Sequence, residues 1–155
     1  MNKTNVIRIL ESHGIPHDIK TYEVDETDLS GTTVANKIGV NEEIVFKTLV
    51  AEGDKSGFLV FCVPVNSEIN LKKAALVSGN KKVELIPTKN LLAVTGYVRG
   101  GCSPIGMKKI FPAFIDETAQ LFEKIYFSAG VRGMQVGVHP EDLQKLTDAI
   151  YADLT

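Results

Sequence analysis

Apolar residues recur at helical spacing in two segments near the start of the chain. Residues 4–13 place their apolar side chains on one helix face, with Thr4 suited to cap the first turn and Gly14 suited to end the helix. Residues 33–38 have similar spacing and precede Gly39, whose missing Cβ permits a left-handed turn. We therefore predict two short helices in this region.

Continuous apolar runs, rather than helical spacing, indicate the strands that follow. Residues 44–51 and 58–65 are strongly apolar, and the turn-forming stretch 53–57 lies between them. Two such runs joined by a short polar turn are typical of an antiparallel hairpin. Residues 17–24 are also predicted to be extended.

The second half of the chain contains both kinds of pattern. Asn70 is suited to cap a helix that ends before Gly79. Pro140 is suited to the first turn of a C-terminal helix whose apolar face extends to Ile150. The other predicted elements are strands over residues 83–86, 110–115, 125–128 and 134–138, a short helix over 118–123 and a glycine-rich loop over 96–106.

Helices and strands alternate along the chain, and the hairpin adds antiparallel pairing. This combination predicts an α/β (α+β) fold in which helices pack around a mixed sheet. The hydrophobic content of 44% and the charged content of 23% are typical of a globular domain. No linker or internal repeat divides the sequence, so we predict one domain over residues 1–155.

The sequence lacks the common motifs of metal and cofactor chemistry. His13, His17 and His139 do not have the spacing of a zinc site, and no CxxC pair, nucleophile elbow or phosphate-binding loop occurs. We therefore predict no metal and no cofactor. The charged start of the chain is unlike a signal peptide or a membrane span, and Cys62 and Cys102 do not indicate an oxidising compartment. A cytoplasmic location without membrane contact is the prediction.

Lys47 is a candidate for chemistry because it interrupts an apolar strand. Strand alternation places it on the same face as Val45 and Leu49. An unpaired ammonium group is costly to bury, so this lysine needs an anion or a route to solvent. Either it meets a phosphate or a negative oxygen at the mouth of a pocket, or it lies at a sheet edge and discourages strand pairing.

Two glycine-rich loops provide further candidates. In the first, the adjacent Gly100 and Gly101 allow close approach to backbone N–H groups, which stabilise an ester oxyanion in many enzymes. In the second, Ser128 is a candidate hydrogen-bond donor to a ligand, and Arg132 is a candidate to hold a phosphate or a carboxylate. The alternatives are a structural connection, a turn-capping hydroxyl and a surface ion pair.

The charge distribution adds a nucleic-acid hypothesis. The whole chain has a net charge of −2, but residues 71–114 contain eight Lys and Arg residues against one acidic residue, a net charge of +7. A basic patch of this kind attracts phosphates. Solvated ends of helices and strands are an equally good interpretation.

Several short motifs together resemble the bacterial Cys-tRNA(Pro) deacylase family (YbaK/EbsC type), which is related to the editing domain of prolyl-tRNA synthetases. They lie in the family's order over nearly the whole chain. The motifs are Phe46-Lys47-Thr48-Leu49, Leu71-Lys72-Lys73-Ala74-Ala75, Lys82-Val83-Glu84, Thr95-Gly96-Tyr97, Gly100-Gly101-x-Ser103-Pro104-x-Gly106, Ser128-x-Gly130-x-Arg132-Gly133 and Pro140-x-Asp142-Leu143.

This resemblance implies a partly open mixed β-barrel or sheet with flanking helices, and metal-free hydrolysis of the ester between an amino acid and the tRNA acceptor end. It implies that Lys47 binds the terminal phosphate or orients the ester, and that the amides of Gly100 and Gly101 hold the aminoacyl group. The cysteinyl thiol would attack its own ester. Mischarged tRNA is the implied partner, with prolyl-tRNA synthetase as a second candidate. The implied substrate-binding residues are Tyr22, Thr48, Ser103, Pro104, Ser128, Gly130 and Arg132.

Three alternatives to this function stay open at the level of sequence. One is a sibling deacylase that acts on another mischarged tRNA such as Ala-tRNA(Pro). Another is a non-catalytic module that binds tRNA or a nucleotide. The third is a thioesterase that depends on Cys102, although no base for its thiol is identifiable. Residues 28–33 match the family pattern poorly, so no site residue is assigned there.

Overall fold

The structure is a computed structural model that describes residues 3–155. Its helices are α1 (Asn5–Ser12), α2 (Gly31–Ile38), α3 (Leu71–Ser78), α4 (Leu91–Thr95) and α5 (Pro140–Thr147). Its strands are β1 (Asp18–Thr21), β2 (Phe46–Gly53), β3 (Gly57–Pro64), β4 (Val83–Leu85), β5 (Ala113–Asp116), β6 (Ile125–Ser128), β7 (Met134–Val138) and β8 (Ile150–Ala152). Short 3₁₀ helices lie at Glu42–Ile44, Thr88–Asn90 and Glu117–Leu121.

Side chains cap the helices at the predicted positions. The Thr4 hydroxyl accepts a hydrogen bond from the first turn of α1, and the Asn70 side chain accepts two from the first turn of α3. Gly39 and Gly79 adopt left-handed conformations directly after α2 and α3. These local predictions are confirmed. They could be made from the sequence because each cap depends only on residues close in sequence.

The strands form two sheets. The larger has the order β4-β2-β3-β5-β8, with parallel pairing of β3 with β5 and of β5 with β8, and antiparallel pairing elsewhere. The smaller is antiparallel, with the order β1-β7-β6. A parallel bridge between Val45 and Tyr126 connects the two sheets. The predicted mixed sheet with flanking helices is therefore confirmed.

Two predicted elements are wrong in their extent. The strand predicted over residues 110–115 begins only at Ala113, and Ile110 is 98% exposed in an irregular segment that ends at Pro112. The C-terminal helix ends at Thr147, since Asp148 has a positive φ of 55°. Ile150 therefore lies in strand β8, 58% exposed, and not on the apolar face of the helix.

The main core lies between the sheets and the helices α1 and α5. Val6, Ile7 and Leu10 of α1 pack with Leu143 of α5 and with buried residues of β3, β5, β6 and β7. Burial of each such aliphatic side chain contributes about 1.5–3 kcal/mol. A second cluster lies beneath α3 and includes the stacked rings of Phe61 and Phe114, whose centroids are 5.3 Å apart. None of the described helices is long and apolar enough to cross a membrane.

Asn80 ties the hairpin turn between β2 and β3 to the end of α3. Its Oδ1 accepts hydrogen bonds from the main-chain N–H groups of Lys55 (2.8 Å) and Ser56 (3.0 Å). Its Nδ2 donates to the hydroxyls of Ser56 and Ser78. Because the residue is only 9% exposed, these partners have little access to water that could replace the amide.

We expect Asn80→Ala to lower the free energy of unfolding by about 1–3 kcal/mol, since it leaves several part-buried polar groups unpaired. Urea denaturation measures this loss. The matched control is Asn90→Ala, because Asn90 is exposed and makes no capping hydrogen bond; its effect should stay within about 0.5 kcal/mol. Equal losses in the two variants would contradict this role of Asn80.

Candidate functional site

A cleft of about 580 Å³ opens where the two sheets meet. Four of the predicted site residues line it: Lys47, Thr48, Gly100 and Ser128. The other lining residues are Leu29, Ser30, Gly31, Thr32, Val34, Val45, Phe46, Leu49, Val65, Asn66, Glu68, Arg99, Cys102 and Gln135. The cleft therefore collects residues from both glycine-rich loop regions and from β2, which are far apart in sequence.

Lys47 reaches the cleft from the beginning of β2. Its Nζ lies 3.8 Å from Oε1 of Glu68, which is 96% exposed, while the Lys47 side chain is 28% exposed. A long ion pair with a solvated carboxylate contributes only about 0–1 kcal/mol. The ammonium group therefore lies at the cleft mouth with a partner that an anionic ligand can readily displace.

The main chain of the first glycine-rich loop (residues 96–106) packs directly against the main chain of the second (residues 128–133). A Cβ on Gly101 would lie 3.2 Å from Cα of Val131 and 3.3 Å from the Arg132 nitrogen, so a larger residue would push the loops apart. The Gly101 N–H donates to the Val98 carbonyl at 3.0 Å. Gly100, with a φ of 84°, is the member of the glycine pair that borders the cleft.

Arg132 connects the two loops and does not line the cleft. Its Nε donates to the Arg99 carbonyl at 2.8 Å, and its guanidinium pairs with Glu26 at 2.7 Å. These contacts hold the main chain next to Gly100 from behind. The arginine is thus placed to position the loop, and its predicted contact with substrate stays a prediction.

Five other predicted residues also lie outside the lining of the cleft. Ser103 is fully buried, and its hydroxyl accepts a hydrogen bond from the Ile105 N–H at 3.4 Å. Pro104 lines a separate apolar pocket with residues such as Ile105. Tyr22 lines an open groove with its acidic neighbours. Gly130 packs against Tyr97, and Gly101 supports the loop contact described above.

Cys102 lines the cleft, but its thiol is held in the neutral form. Burial raises the pKa of Cys102 to about 12, and a hydrogen bond with Thr95 offsets this only in part. The residue is 9% exposed. A thiol in this environment has almost no thiolate near neutral pH and is a poor nucleophile.

One wall of the cleft contains no residue predicted from the sequence; it is formed by Leu29, Ser30, Gly31 and Thr32. This segment leads into α2, whose N-cap is Ser30. Hydrogen bonds from Thr33 and Ser30 lower the pKa of Asp28 to about 2, so its carboxylate fixes the turn. An added Cβ on Gly31 would overlap the side chain of Val65. The Ser-Gly-Thr-Thr helix start was a visible signal, but nothing in the sequence places it beside β2.

The basic segment over residues 71–114 does not form one surface at the cleft. Of the eight Lys and Arg residues in this segment, all of them within the described chain, only Arg99 lines the cleft. Lys82 pairs with Glu84 at 2.9 Å and Lys73 with Asp153 at 2.8 Å. The predicted phosphate patch is thus represented at the cleft by Arg99, together with Lys47 from β2.

We expect Arg132→Ala to loosen the loop that contains Gly100. Loss of about 1 kcal/mol from a partly exposed contact corresponds to roughly fivefold faster exchange of the Gly101 amide. Hydrogen exchange measured by NMR tests this. Arg99→Ala is the control, because Arg99 contributes only its main-chain carbonyl to this hydrogen bond and the substitution keeps that carbonyl. Exchange of the Gly101 amide in this variant should match wild type. Unchanged exchange in Arg132→Ala would show that the contact does not hold the loop.

Comparisons with known proteins agree with this architecture. The chain matches the family described as "Aminoacyl-tRNA editing domain" over residues 29–146. It is 47% identical over 153 residues to "Putative Cys-tRNA(Pro)/Cys-tRNA(Cys) deacylase EbsC" of Enterococcus faecalis, with 99% of this chain and 93% of that protein covered.

Solved structures show the same fold at lower sequence identity. The crystal structure of a "putative trans-editing enzyme for prolyl tRNA synthetase" has a TM-score of 0.83 at 24% identity, with 100% of this chain and 99% of that chain covered. A hypothetical protein has a TM-score of 0.88 at 20% identity, with coverages of 97% and 99%. The chain therefore belongs to the aminoacyl-tRNA editing domain family, and the prediction of an aminoacyl-tRNA deacylase is confirmed.

Proposed function

We propose that this chain is a trans-editing hydrolase that removes cysteine from Cys-tRNA(Pro). The observation that carries the proposal is the 47% identity, over nearly the full length of both chains, to a relative named for this substrate. A cleft of about 580 Å³ is large enough to admit an aminoacyl group and part of its nucleotide. A cytoplasmic location follows from a tRNA substrate and belongs to the same proposal.

The side chains of the cleft favour a nucleophile supplied by the substrate. The hydroxyl and thiol side chains that line the cleft belong to Ser30, Thr32, Thr48, Cys102 and Ser128. None of the described lining residues is a histidine that could act as their base. The Ser128 hydroxyl accepts a hydrogen bond from the Gly130 N–H at 3.1 Å. The pKa of Cys102, about 12, keeps its thiol protonated.

The cysteinyl thiol is placed by its own covalent attachment next to the ester carbonyl. Its thiolate forms a carbon–sulfur bond to that carbon, the bond from the carbon to the ribose oxygen breaks, and the ribose oxygen takes up a proton. The product is a four-membered thiolactone, which water opens to free cysteine. Intramolecular attack needs no protein nucleophile, because the reacting atoms are already held together.

The protein then contributes charge and positioning. Lys47 binds the phosphate of the terminal nucleotide or orients the ester, and the Gly100 amide stabilises the oxyanion. Thr48 and Ser128 line the aminoacyl pocket. Arg132, Gly101, Ser103, Pro104 and Gly130 support the loops around them. The reaction proceeds without a metal ion, and prolyl-tRNA synthetase is a candidate partner that delivers the tRNA.

Single-turnover rates on two nearly isosteric substrates test this proposal. With saturating enzyme, Cys-tRNA(Pro) should be deacylated much faster than Ser-tRNA(Pro), because a thiol ionises far more readily than a hydroxyl. A chelator should not change either rate. Equal rates would mean that the thiol is a bystander and that water attacks the ester. Cleavage of neither substrate, with cleavage of Ala-tRNA(Pro), would identify a sibling deacylase.

Substitution of Lys47 tests the proposed charge contact. Lys47→Ala should reduce deacylation of Cys-tRNA(Pro) roughly ten- to a hundredfold, which corresponds to a lost charge-assisted contact of about 1.5–3 kcal/mol. Lys55→Ala, in the exposed hairpin turn, and Cys102→Ser are the controls and should keep most of the activity. Wild-type rates in Lys47→Ala would show that this lysine takes no part in the mechanism. Complete loss of deacylation in Cys102→Ser, with an unchanged circular dichroism spectrum, would favour the protein thiol as the nucleophile.

A further inference from the structure

Two buried oxygen atoms at the cleft have no hydrogen-bond partner in the part of the chain that the structure describes. They are Oγ1 of Thr48 and Oε1 of Gln135. Two other buried oxygens without a hydrogen bond belong to Asp18 and Tyr151, which do not line the cleft. The Asp18 oxygen nevertheless has an ion-pair partner, the Lys124 ammonium group at 3.2 Å. Thr48 and Gln135 are thus cleft-lining residues that each carry a buried oxygen without a partner.

Gln135 is held at the cleft by the alternation of strand β7. Val136 and Val138 point into the main core, and Gln135 therefore lies on the opposite face. It is directly opposite Ser128 of β6 in the antiparallel register. The residue is only 6% exposed, so bulk water does not replace the missing partner.

An unpaired polar group in such a place is costly. A buried acceptor without a partner costs about 1–3 kcal/mol, and buried polar groups in native proteins are nearly always satisfied. Gln144 shows the usual arrangement, because its Nε2 donates to the Ala149 carbonyl at 2.9 Å. The exception at Gln135 is explained if a ligand supplies the missing donor.

The chemistry of the cleft narrows the identity of this donor. Lys47 and Arg99 are cations and match the oxygen atoms of phosphate and ester. The Thr48 hydroxyl can donate as well as accept, whereas Oε1 of Gln135 can only accept. An aminoacyl ester carries many acceptor oxygens but one strong donor next to the carbonyl, its α-ammonium group.

We propose that Oε1 of Gln135 accepts a hydrogen bond from the α-ammonium group of the bound aminoacyl ester. The inference rests on the proposed function and deepens it. It makes Gln135 a specificity-determining residue that selects substrates with a free amine. Peptidyl-tRNA and N-formylated initiator tRNA, whose nitrogen is acylated, would lose this contact and leave the buried carbonyl unpaired, so the cleft rejects them.

Binding of stable substrate analogues tests this without a requirement for turnover. One analogue is adenosine that carries cysteine through an amide at its 3′ position, and the other is the same compound with an N-acetylated α-amine. We expect the wild-type protein to bind the free amine at least tenfold more tightly in calorimetric titrations, since a lost hydrogen bond to a charged group is worth about 1.5–3 kcal/mol.

Gln135→Met keeps the length of the side chain and removes its acceptor. The tenfold preference should fall to less than about twofold, while the unfolding midpoint in urea stays equal to wild type or rises, because an unsatisfied group has been removed. Gln144→Met is the matched control. It breaks a satisfied hydrogen bond outside the cleft, so it should lower stability and leave the amine preference unchanged.

Several outcomes overturn the inference. Equal affinity of wild type for the two analogues does so, as does a preference that survives in Gln135→Met, or no measurable binding of either compound. Marked destabilisation of Gln135→Met would show that the amide has a structural partner instead. A chain that shows the amine preference but deacylates no mischarged tRNA would refute the proposed function and leave the recognition of the amine standing.

Discussion

The main-chain bridge between Val45 and Tyr126 determines where the functional groups of this protein lie. It joins the two sheets at the point where β2 begins, and the Val45 carbonyl also accepts a hydrogen bond from the Val65 N–H at 2.8 Å. Residues 46–49 leave the bridge on one side, and β6 leads to Ser128 on the other. Because this bridge fixes the distance between the two sheets where they meet, it also sets the width of the cleft there.

The second constraint is the contact between the two glycine-rich loops. Gly101 has no Cβ where the backbone of Val131 and Arg132 approaches within about 3.3 Å, and Arg132 holds the Arg99 carbonyl. In the proposed reaction the nucleophile belongs to the substrate, so the protein contributes position and charge, and both depend on loop geometry. Within this glycine pair Gly101 serves packing and Gly100 borders the cleft, a difference that their sequence pattern alone does not show.

Local signals in the sequence predicted most elements, and non-local ones account for the errors. Thr4, Asn70 and Gly79 act through neighbours a few residues away, so their roles are visible in the sequence. Ile150 was misplaced because a left-handed Asp148 ends the helix and pairing with β5 converts the next residues to a strand. Both effects depend on the assembled sheet.

Of the residues that the sequence predicts for the site, Lys47, Thr48, Gly100 and Ser128 line the cleft. Gln135 lies in an ordinary apolar strand, and its importance appears only when burial, register and missing partners are considered together. A polar residue at such a position lowers stability in the free protein, so selection for folding alone would favour an apolar side chain. The cost is recovered when a ligand completes the hydrogen bond. A buried acceptor without a partner at a cleft thus indicates a ligand that carries a hydrogen-bond donor, even where no sequence motif indicates one.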